Sequence, residues 1–436
     1  MTSNTMYKEA FVWIWLPEET EPVIAGKLES DNGHLLFNYG KSYLERINDS
    51  RKAISIYEAE LPLKAGILPL IEGLSMPGCI RDSAPDAWGR RVIINKKLGL
   101  TSADIETTQL NELTYLLESG SDRIGALDFQ ASPSEYVPRL SATVSLDELL
   151  ESTERVEKGV LLTPEFDQAL FHGSAIGGAR PKSLIEEENK KYIAKFSSSS
   201  DLFSVVKAEF IAMRLAEYAG LNVAPVKLAK AAHKDVLLIE RFDRKKIENG
   251  WQRKIMISAL SLFGLDEIMA RYASYEILAE IIRHKFTSPS ETLNELFSRL
   301  IFNILCGNTD DHARNHAAFW NGKMLSLTPA YDICPQGRTG NEASQAMLIS
   351  ADNRFSNIEI CLKSAHNFLL SRDEAFSIFE RQKETIEENW NAVCDEADLT
   401  EVDKKLLWKR QFLNPFAFEG LNLNQSVKST AKATAR

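Results

Sequence analysis

No stretch of this 436-residue chain approaches the eighteen or so consecutive apolar residues a membrane-crossing helix needs. Its opening, MTSNTMYKEAFVWIWLPEET, has no basic region followed by a long apolar core. The expectation is a cytoplasmic protein with no membrane partner. Cysteine is sparse: Cys79, Cys306, Cys334, Cys361 and Cys394 are odd in number and scattered, which argues against a disulfide framework and a zinc ribbon. They read as reduced core cysteines. There is no excess of basic residues either; the formal charge of −10 makes the whole chain a poor autonomous DNA binder, because phosphate neutralisation needs a basic surface. The tail 422–436, with Lys428, Lys432 and Arg436 and no acid, departs locally from that balance, and its polar composition reads first as disorder. No repeat of fixed period is present.

The length calls for two or three compact units. Near residues 7 to 62, short β-type runs at Phe11, Val23, Leu35 and Ile54 to Tyr57, separated by turn residues, predict a small antiparallel sheet. Helical patterning follows, including Asp86 to Leu98, and strand signals return from Ile124 through Phe242. From Ile257 onward the chain reads as largely helical. Phe297, Leu300, Ile301, Ile304 and Leu305 make one buried helical stripe that Gly307 ends.

Directly after that glycine comes a polar segment, and the run CGNTDDHARNHAAF places Asp310 and Asn315 five positions apart. This is the spacing of a kinase catalytic loop: a carboxylate orients and deprotonates the attacking hydroxyl, and a nearby amide oxygen holds Mg²⁺. A polar turn after a helix is the ordinary alternative. Downstream, Lys323 to Asp332 reads as a short strand ending in an aspartate, where kinases place another magnesium ligand. Upstream, YIAKF alternates as a strand does, with Ile193 and Lys195 on one face. Before it, the segment from His172 to Lys182 carries Gly177 and Gly178, whose freedom lets the backbone bend round a phosphate. It is no Walker A loop, since Ala179 stands where the lysine would be required. The segment Lys207 to Gly220 predicts a helix on which Glu209 shares an apolar face with Ala212, Met213 and Ala216. Such a carboxylate is costly to bury unpaired, which makes Glu209 the candidate partner of Lys195. His312 and His316 are four apart without the glutamate of an HExxH site, so zinc is disfavoured, and His312 is expected to brace the loop. Nothing in the sequence orients Cys306 as a nucleophile.

GGARPK, YIAKF, LIERFDR, NTDDHARNHAAF and LTPAYDI occur in this order across 177 to 333, and here the chain resembles the HipA family of bacterial serine/threonine kinase toxins. The segments IRDSAPDAWGRR and RIGALD, before residue 130, look like that family's accessory domain and the strand leading into its core. The resemblance implies an α+β fold: a two-lobed protein-kinase-like core, with a β-rich N-lobe and a helical C-lobe, behind an N-terminal accessory α+β domain. The expected boundaries are 1–120 for the accessory domain, 121–246 for the N-lobe, 247–421 for the C-lobe and 422–436 for a disordered tail.

Carried over residue by residue, the resemblance implies ATP and Mg²⁺ as cofactors and Asp310 as the catalytic aspartate. Asn315 and Asp332 match the magnesium ligands and Lys195 the phosphate-contacting lysine, with Glu209 as its partner. Gly177, Gly178, Ala179, Arg180 and Lys182 lie in the loop over the phosphates. Backbone groups near Glu240 and Phe242 match those that receive adenine, and Ser174 is the candidate for autophosphorylation. Two departures matter. Thr309 replaces the arginine of an HRD motif, and Ile333 and Cys334 replace the Phe-Gly of DFG, so neither phosphate locking through that arginine nor a Phe flip is expected. The implied function is a protein serine/threonine kinase acting as the toxin of a toxin–antitoxin pair. Its implied partners are a HipB-like helix-turn-helix antitoxin and a protein substrate such as an aminoacyl-tRNA synthetase, with DNA reached only through the antitoxin. The other readings are a weakly active or inactive kinase fold serving as corepressor of the antitoxin, and a small-molecule kinase.

Overall fold

The computed structural model describes residues 7–46, 52–98, 110–139, 145–158, 160, 180–197, 201, 203–232, 234–338 and 340–421. Alternating apolar residues in β1 (Glu9–Ile14), β2 (Val23–Asp31) and β3 (His34–Tyr39) build an antiparallel sheet with β4 (Ile67–Leu68) and β5 (Leu127–Gln130), in the order β4-β3-β2-β1-β5. β5 comes from beyond residue 120 and closes the sheet by pairing Phe11 with Gln130 and Ile14 with Leu127. Ile54 to Tyr57, expected as a strand, is buried without being one. Side chains meet its backbone needs in place of a ladder: Ile56 N–H donates to Tyr39 Oη at 2.9 Å, Tyr43 Oη donates to Ile54 O at 2.8 Å and Trp320 Nε1 donates to Ser55 O at 2.9 Å.

A second antiparallel sheet, ordered β6-β7-β9-β8, comprises β6 (Lys182–Glu187), β7 (Lys190–Phe196), β8 (Val226–Ala231) and β9 (Lys234–Glu240). The helix Val205–Tyr218 packs on it, ending just before Gly220, which takes φ +84°. A hairpin, β10 (Arg244–Ile247) with β11 (Gly250–Arg253), leads into β12 (Ile255–Ser258), which pairs with β13 (Ala317–Trp320), itself paired with β14 (Leu325–Leu327). The sequence from Ile257 onward is therefore less uniformly helical than its patterning implied, because this small sheet brackets the catalytic-loop segment. The helix Pro289–Cys306 packs against both Tyr275–Lys285 and Arg372–Glu396, and the last also packs against Val205–Tyr218. All five cysteines are buried and free, and no described helix is long and apolar enough to cross a membrane.

A buried charge network ties the first sheet to the segment that leaves β9. Arg241 donates to Asp243 at 2.8 and 2.9 Å and to Asp122 at 3.1 Å, and Arg244 reaches Asp243 at 2.9 Å and Asp122 at 3.0 Å. Lys191 adds a contact to Asp122 at 2.5 Å. Gly125 N–H donates to Asp243 at 2.8 Å, and Arg241 Nη2 donates to Arg123 O at 2.6 Å. Both arginines have essentially no exposed side chain, so each depends on these partners. Burial works against ionising Asp243, but Arg241 and then Arg244 outweigh it and hold the carboxyl down at about 2. Removing one member of a buried pair leaves an uncompensated charge. We expect Asp243→Ala to lower the unfolding free energy by about 3–5 kcal/mol in denaturant titration. A loss within measurement error would mean that Arg241 and Arg244 need no carboxylate there.

Candidate active site

Lys195 stands on β7 with its ammonium inside the protein, 9% exposed as a side chain, and two carboxylates meet it there. Glu209, from the first half of the helix Val205–Tyr218, lies 2.6 Å away, and Asp332, from the turn after β14, makes a second direct contact. Burial disfavours the ammonium, but Asp332 and then Glu209 more than compensate and raise Lys195 above the ordinary lysine range. Asp332 is the strongly ionised partner: burial pushes it up, while Lys195 and then Lys182 bring it well below the usual carboxylate range. Glu209, 3% exposed, is raised by burial, which prevails over the attraction of Lys195.

Asp332 does not end a strand, as the sequence implied. β14 stops at Leu327, and the chain continues through Ala330, which forms a parallel bridge with Val223, before Asp332 adopts φ +59°. Aspartate tolerates this left-handed conformation better than most residues, and it breaks the extended run and aims the carboxylate at Lys195.

The catalytic-loop segment begins where Gly307 caps the helix Pro289–Cys306 with φ +75°. A Cβ there would stand 2.6 Å from the Gln411 carbonyl oxygen, so the position requires glycine twice over. Asn308 Nδ2 then donates to Asn303 Oδ1 at 3.1 Å and to Asp332 O at 3.4 Å, linking the loop to the Asp332 turn. Asp310 is exposed, and its carboxyl is raised by burial of its surroundings, with Asp332 and Asp311 adding to this and His312 opposing it. Asn315 folds back to donate from Nδ2 to Asp310 O at 3.3 Å.

The other sequence-derived positions fall as follows. Lys182 opens β6 directly across from Lys195 in the ladder. Arg180 pairs with Asp201 at 2.8 Å. Glu240 Oε2 accepts from Lys190 at 2.6 Å and its N–H is taken by Pro225 O at 2.9 Å, so its N–H is committed within the protein. Phe242 packs against Tyr331 and Phe319 at ring separations of 5.6 and 6.0 Å. A cavity of about 710 Å³ between the β6–β7 turn and the β10–β11 hairpin is lined by Glu240 but by none of Lys195, Asp310, Asn315 or Asp332. Ser174, Gly177, Gly178 and Ala179 lie outside the described residues. His312 is not the brace expected of it: its Nδ1 is buried with no partner among the described residues, while His316 engages Asp311. Among the described residues no three His, Cys, Asp or Glu side chains group as a metal site. Mg²⁺ is less demanding of protein ligands, commonly taking one or two carboxylates alongside phosphates. An ionised, partly exposed Asp332 and an Asn315 whose amide nitrogen is already engaged fit that oxygen-only chemistry.

The juxtaposition of Lys182 and Lys195 was not legible as a pair, because it depends on the β6–β7 register. Burial first, and then the Lys195 charge, push the Lys182 ammonium down to about 8. From about 8 up to the ordinary 10.5, the unfolded chain binds more protons at this residue than the folded one does, so its effect on stability grows more favourable as pH rises. Relative to Lys182→Met, the wild type should gain at most about 1.4 kcal/mol per pH unit over that window in unfolding titrations. A difference that stays flat with pH would mean that Lys182 titrates as a free lysine.

Comparison with known proteins identifies relatives of this chain. The family described as HipA N-terminal domain matches residues 15–130, and the HipA-like C-terminal domain matches residues 174–390. Over 271 residues the chain is 23% identical to the serine/threonine-protein kinase toxin HipA of Shewanella oneidensis, a match spanning 55% of this chain and 60% of that relative. It is 28% identical over 343 residues to the protein Y4mE of Sinorhizobium fredii, across 71% of this chain and 74% of the other. The solved Shewanella oneidensis MR-1 complex of HipA, HipB and operator DNA contains a chain of like fold, with a TM-score of 0.67 at 20% identity, covering 94% of this chain and 99% of that one. With its two halves matched in order by the two family domains and an α+β, kinase-like fold shared with that complex, the chain belongs to the HipA family.

Proposed function

We propose that this protein is an ATP- and Mg²⁺-dependent protein serine/threonine kinase and the toxin of a toxin–antitoxin pair. The observation that carries the reading is the convergence of Lys195, Glu209 and Asp332, from three separated parts of the chain, beside a loop that presents Asp310 and Asn315. In the proposed reaction a serine or threonine hydroxyl oxygen forms a bond to the γ-phosphorus of ATP as the bond from that phosphorus to the β,γ-bridging oxygen breaks. ADP leaves, and the hydroxyl proton passes to Asp310. The upward displacement of the Asp310 pKa favours that acceptance. Lys195, and Lys182 opposite it, attract the phosphates. Mg²⁺ held by Asn315 and Asp332 would supply further positive charge against the transferred group. Lys195 and Asp332 neutralise each other in the free protein, and the metal nucleotide offers each a new partner of opposite charge.

Adenine is assigned to the Phe242 backbone rather than to the committed N–H of Glu240. The antitoxin partner is a HipB-like protein, supported by the HipA–HipB–operator DNA complex whose fold this chain shares, with DNA met only through that partner. A translation component such as an aminoacyl-tRNA synthetase remains the proposed substrate, and Ser174 the proposed site of autophosphorylation.

Incubating the purified protein with γ-labelled ATP, Mg²⁺ and cell lysate should label serine or threonine on a discrete protein. Asp310→Asn should still bind Mg-ATP yet transfer roughly a hundred- to ten-thousand-fold more slowly. Undiminished turnover in that variant would remove Asp310 from the chemistry, and no ATP binding by the wild type would end the kinase reading. Lys195→Ala should lose rate most strongly at limiting ATP; an unchanged rate there would place the nucleotide elsewhere.

A further inference from the structure

The two consecutive aspartates of the catalytic loop face opposite ways. Asp310 is exposed, whereas Asp311 is 3% exposed and its carboxylate is shared by two buried side chains. Tyr275, the first residue of the helix Tyr275–Lys285, donates its hydroxyl to Asp311 Oδ2, and His316 Nε2 lies 3.0 Å from Oδ1 and 3.1 Å from Oδ2. The Tyr275 and His316 rings meet edge to face at 5.5 Å, with Tyr275 Oη 3.3 Å from His316 Nε2. The cluster thus joins a helix, the loop and the residue immediately before β13.

The spacing gives the cluster its meaning. Asp311 and His316 are separated by the same five positions as Asp310 and Asn315, displaced by one residue. The Asp311–His316 pair is buried and locked; exposed Asp310 and buried Asn315 supply the groups assigned to proton transfer and metal binding. The backbone is fixed around the same pairs: Asn315 N–H donates to His312 O at 2.8 Å, His316 O accepts from Ala259 N–H at 2.8 Å, and Thr309 O accepts from Ala346 N–H at 3.0 Å. A shift of the Asp311–His316 contact therefore moves both Asp310 and Asn315, the residues next to it in the chain. A small cavity against the cluster, lined by Arg299, Asn303, Asn315 and Tyr331 as well as Asp311 and His316, leaves room at most for about one water. The loop has little slack in which to absorb such a shift.

We infer that Asp311 is a positioning residue, which through His316 and Tyr275 sets the separation between Asp310 and Asn315. This rests on the proposed kinase reading and adds a residue to it. Small misplacements of reacting groups cost large factors in rate even when the substituted residue is remote from the chemistry. Asp311→Asn keeps the volume and an acceptor for Tyr275 but loses the charge facing His316. It should lower kcat on the order of ten- to a hundred-fold and raise the Mg²⁺ concentration for half-maximal rate several-fold. Metal-free ATP affinity and the amount of folded protein should be retained. Tyr275→Phe, which keeps the aspartate and the histidine, should show the same pattern more weakly. A stabilising role alone would lower the unfolding midpoint while leaving kcat and the Mg²⁺ dependence of the remaining folded enzyme unchanged, and that result overturns the inference. Binding of Mn²⁺ with a non-hydrolysable ATP analogue, followed by electron paramagnetic resonance, separates the two levels. Wild-type binding that Asp311→Asn leaves equally tight, with equal turnover, sinks this inference alone. No metal–nucleotide binding by the wild type sinks the kinase reading and the inference together.

Discussion

An ammonium group enclosed in protein is tolerable only with carboxylates at hand, and Lys195 has two from opposite ends of the candidate catalytic region. That requirement organises the region. It fixes the helix Val205–Tyr218 on the second sheet through Glu209, and it draws the turn after β14 to the same point through Asp332. Asn308 then holds both the end of the long helix Pro289–Cys306 and the backbone of Asp332, so the candidate catalytic loop is referenced to the same lysine. A strand, two helices and two loops share one origin. The Lys195 ion pairs do more for geometry than for net stability, since buried pairs recover little beyond the cost of desolvating their members.

The Arg241–Asp243–Arg244–Asp122 network has a comparable role at the other end of the central β7–β9 pair of the second sheet. It flanks Phe242 on both sides, and its acceptors include backbone carbonyls at Arg123 and Gly125, just before β5 enters the first sheet. The segment expected to meet adenine is thereby anchored to the N-terminal sheet by saturated, solvent-excluded hydrogen bonds. In physical terms the N-terminal sheet is a supporting wall for the segment around Phe242, and disturbing it should be felt there.

Patterns set by local chemistry were legible in the sequence. β7 follows from alternation in YIAKF, the end of the helix Pro289–Cys306 from Gly307, and the Lys195–Glu209 pair from the expense of an unpaired carboxylate on an apolar helix face. What depended on register or on distant partners was not. Ile54 to Tyr57 has the composition of a strand, but the hydroxyls of Tyr39 and Tyr43 and the indole of Trp320 supply its hydrogen bonds, and no sequence window contains all of those residues. The left-handed turn at Asp332 was concealed because aspartate, unlike glycine, does not announce that conformation. His316 rather than His312 braces the loop for a related reason. The doubled aspartate and the histidine five residues after Asp311 were visible, but the inward direction of that pair depends on Tyr275, which lies thirty-six residues upstream of Asp311.

The balance of charge around Lys195 bears on how a nucleotide could enter. Asp310, Asp311, Asp332 and Glu209 stand against Lys195 and Lys182, and the latter lysine is held near the middle of its titration at mildly alkaline pH. Polyphosphate arriving without a counter-cation would face exposed Asp310 and partly exposed Asp332 while the better lysine is already neutralised by carboxylates. On the proposed kinase reading a divalent cation would change the sign of that encounter: paired with Asp332, it would relieve the competition for Lys195 and restore attraction for the phosphates. The same accounting favours proton uptake at Lys182 when an anion binds. On that reading the arrangement of fixed charges would favour the metal complex of a nucleoside triphosphate over the free anion before any chemistry begins.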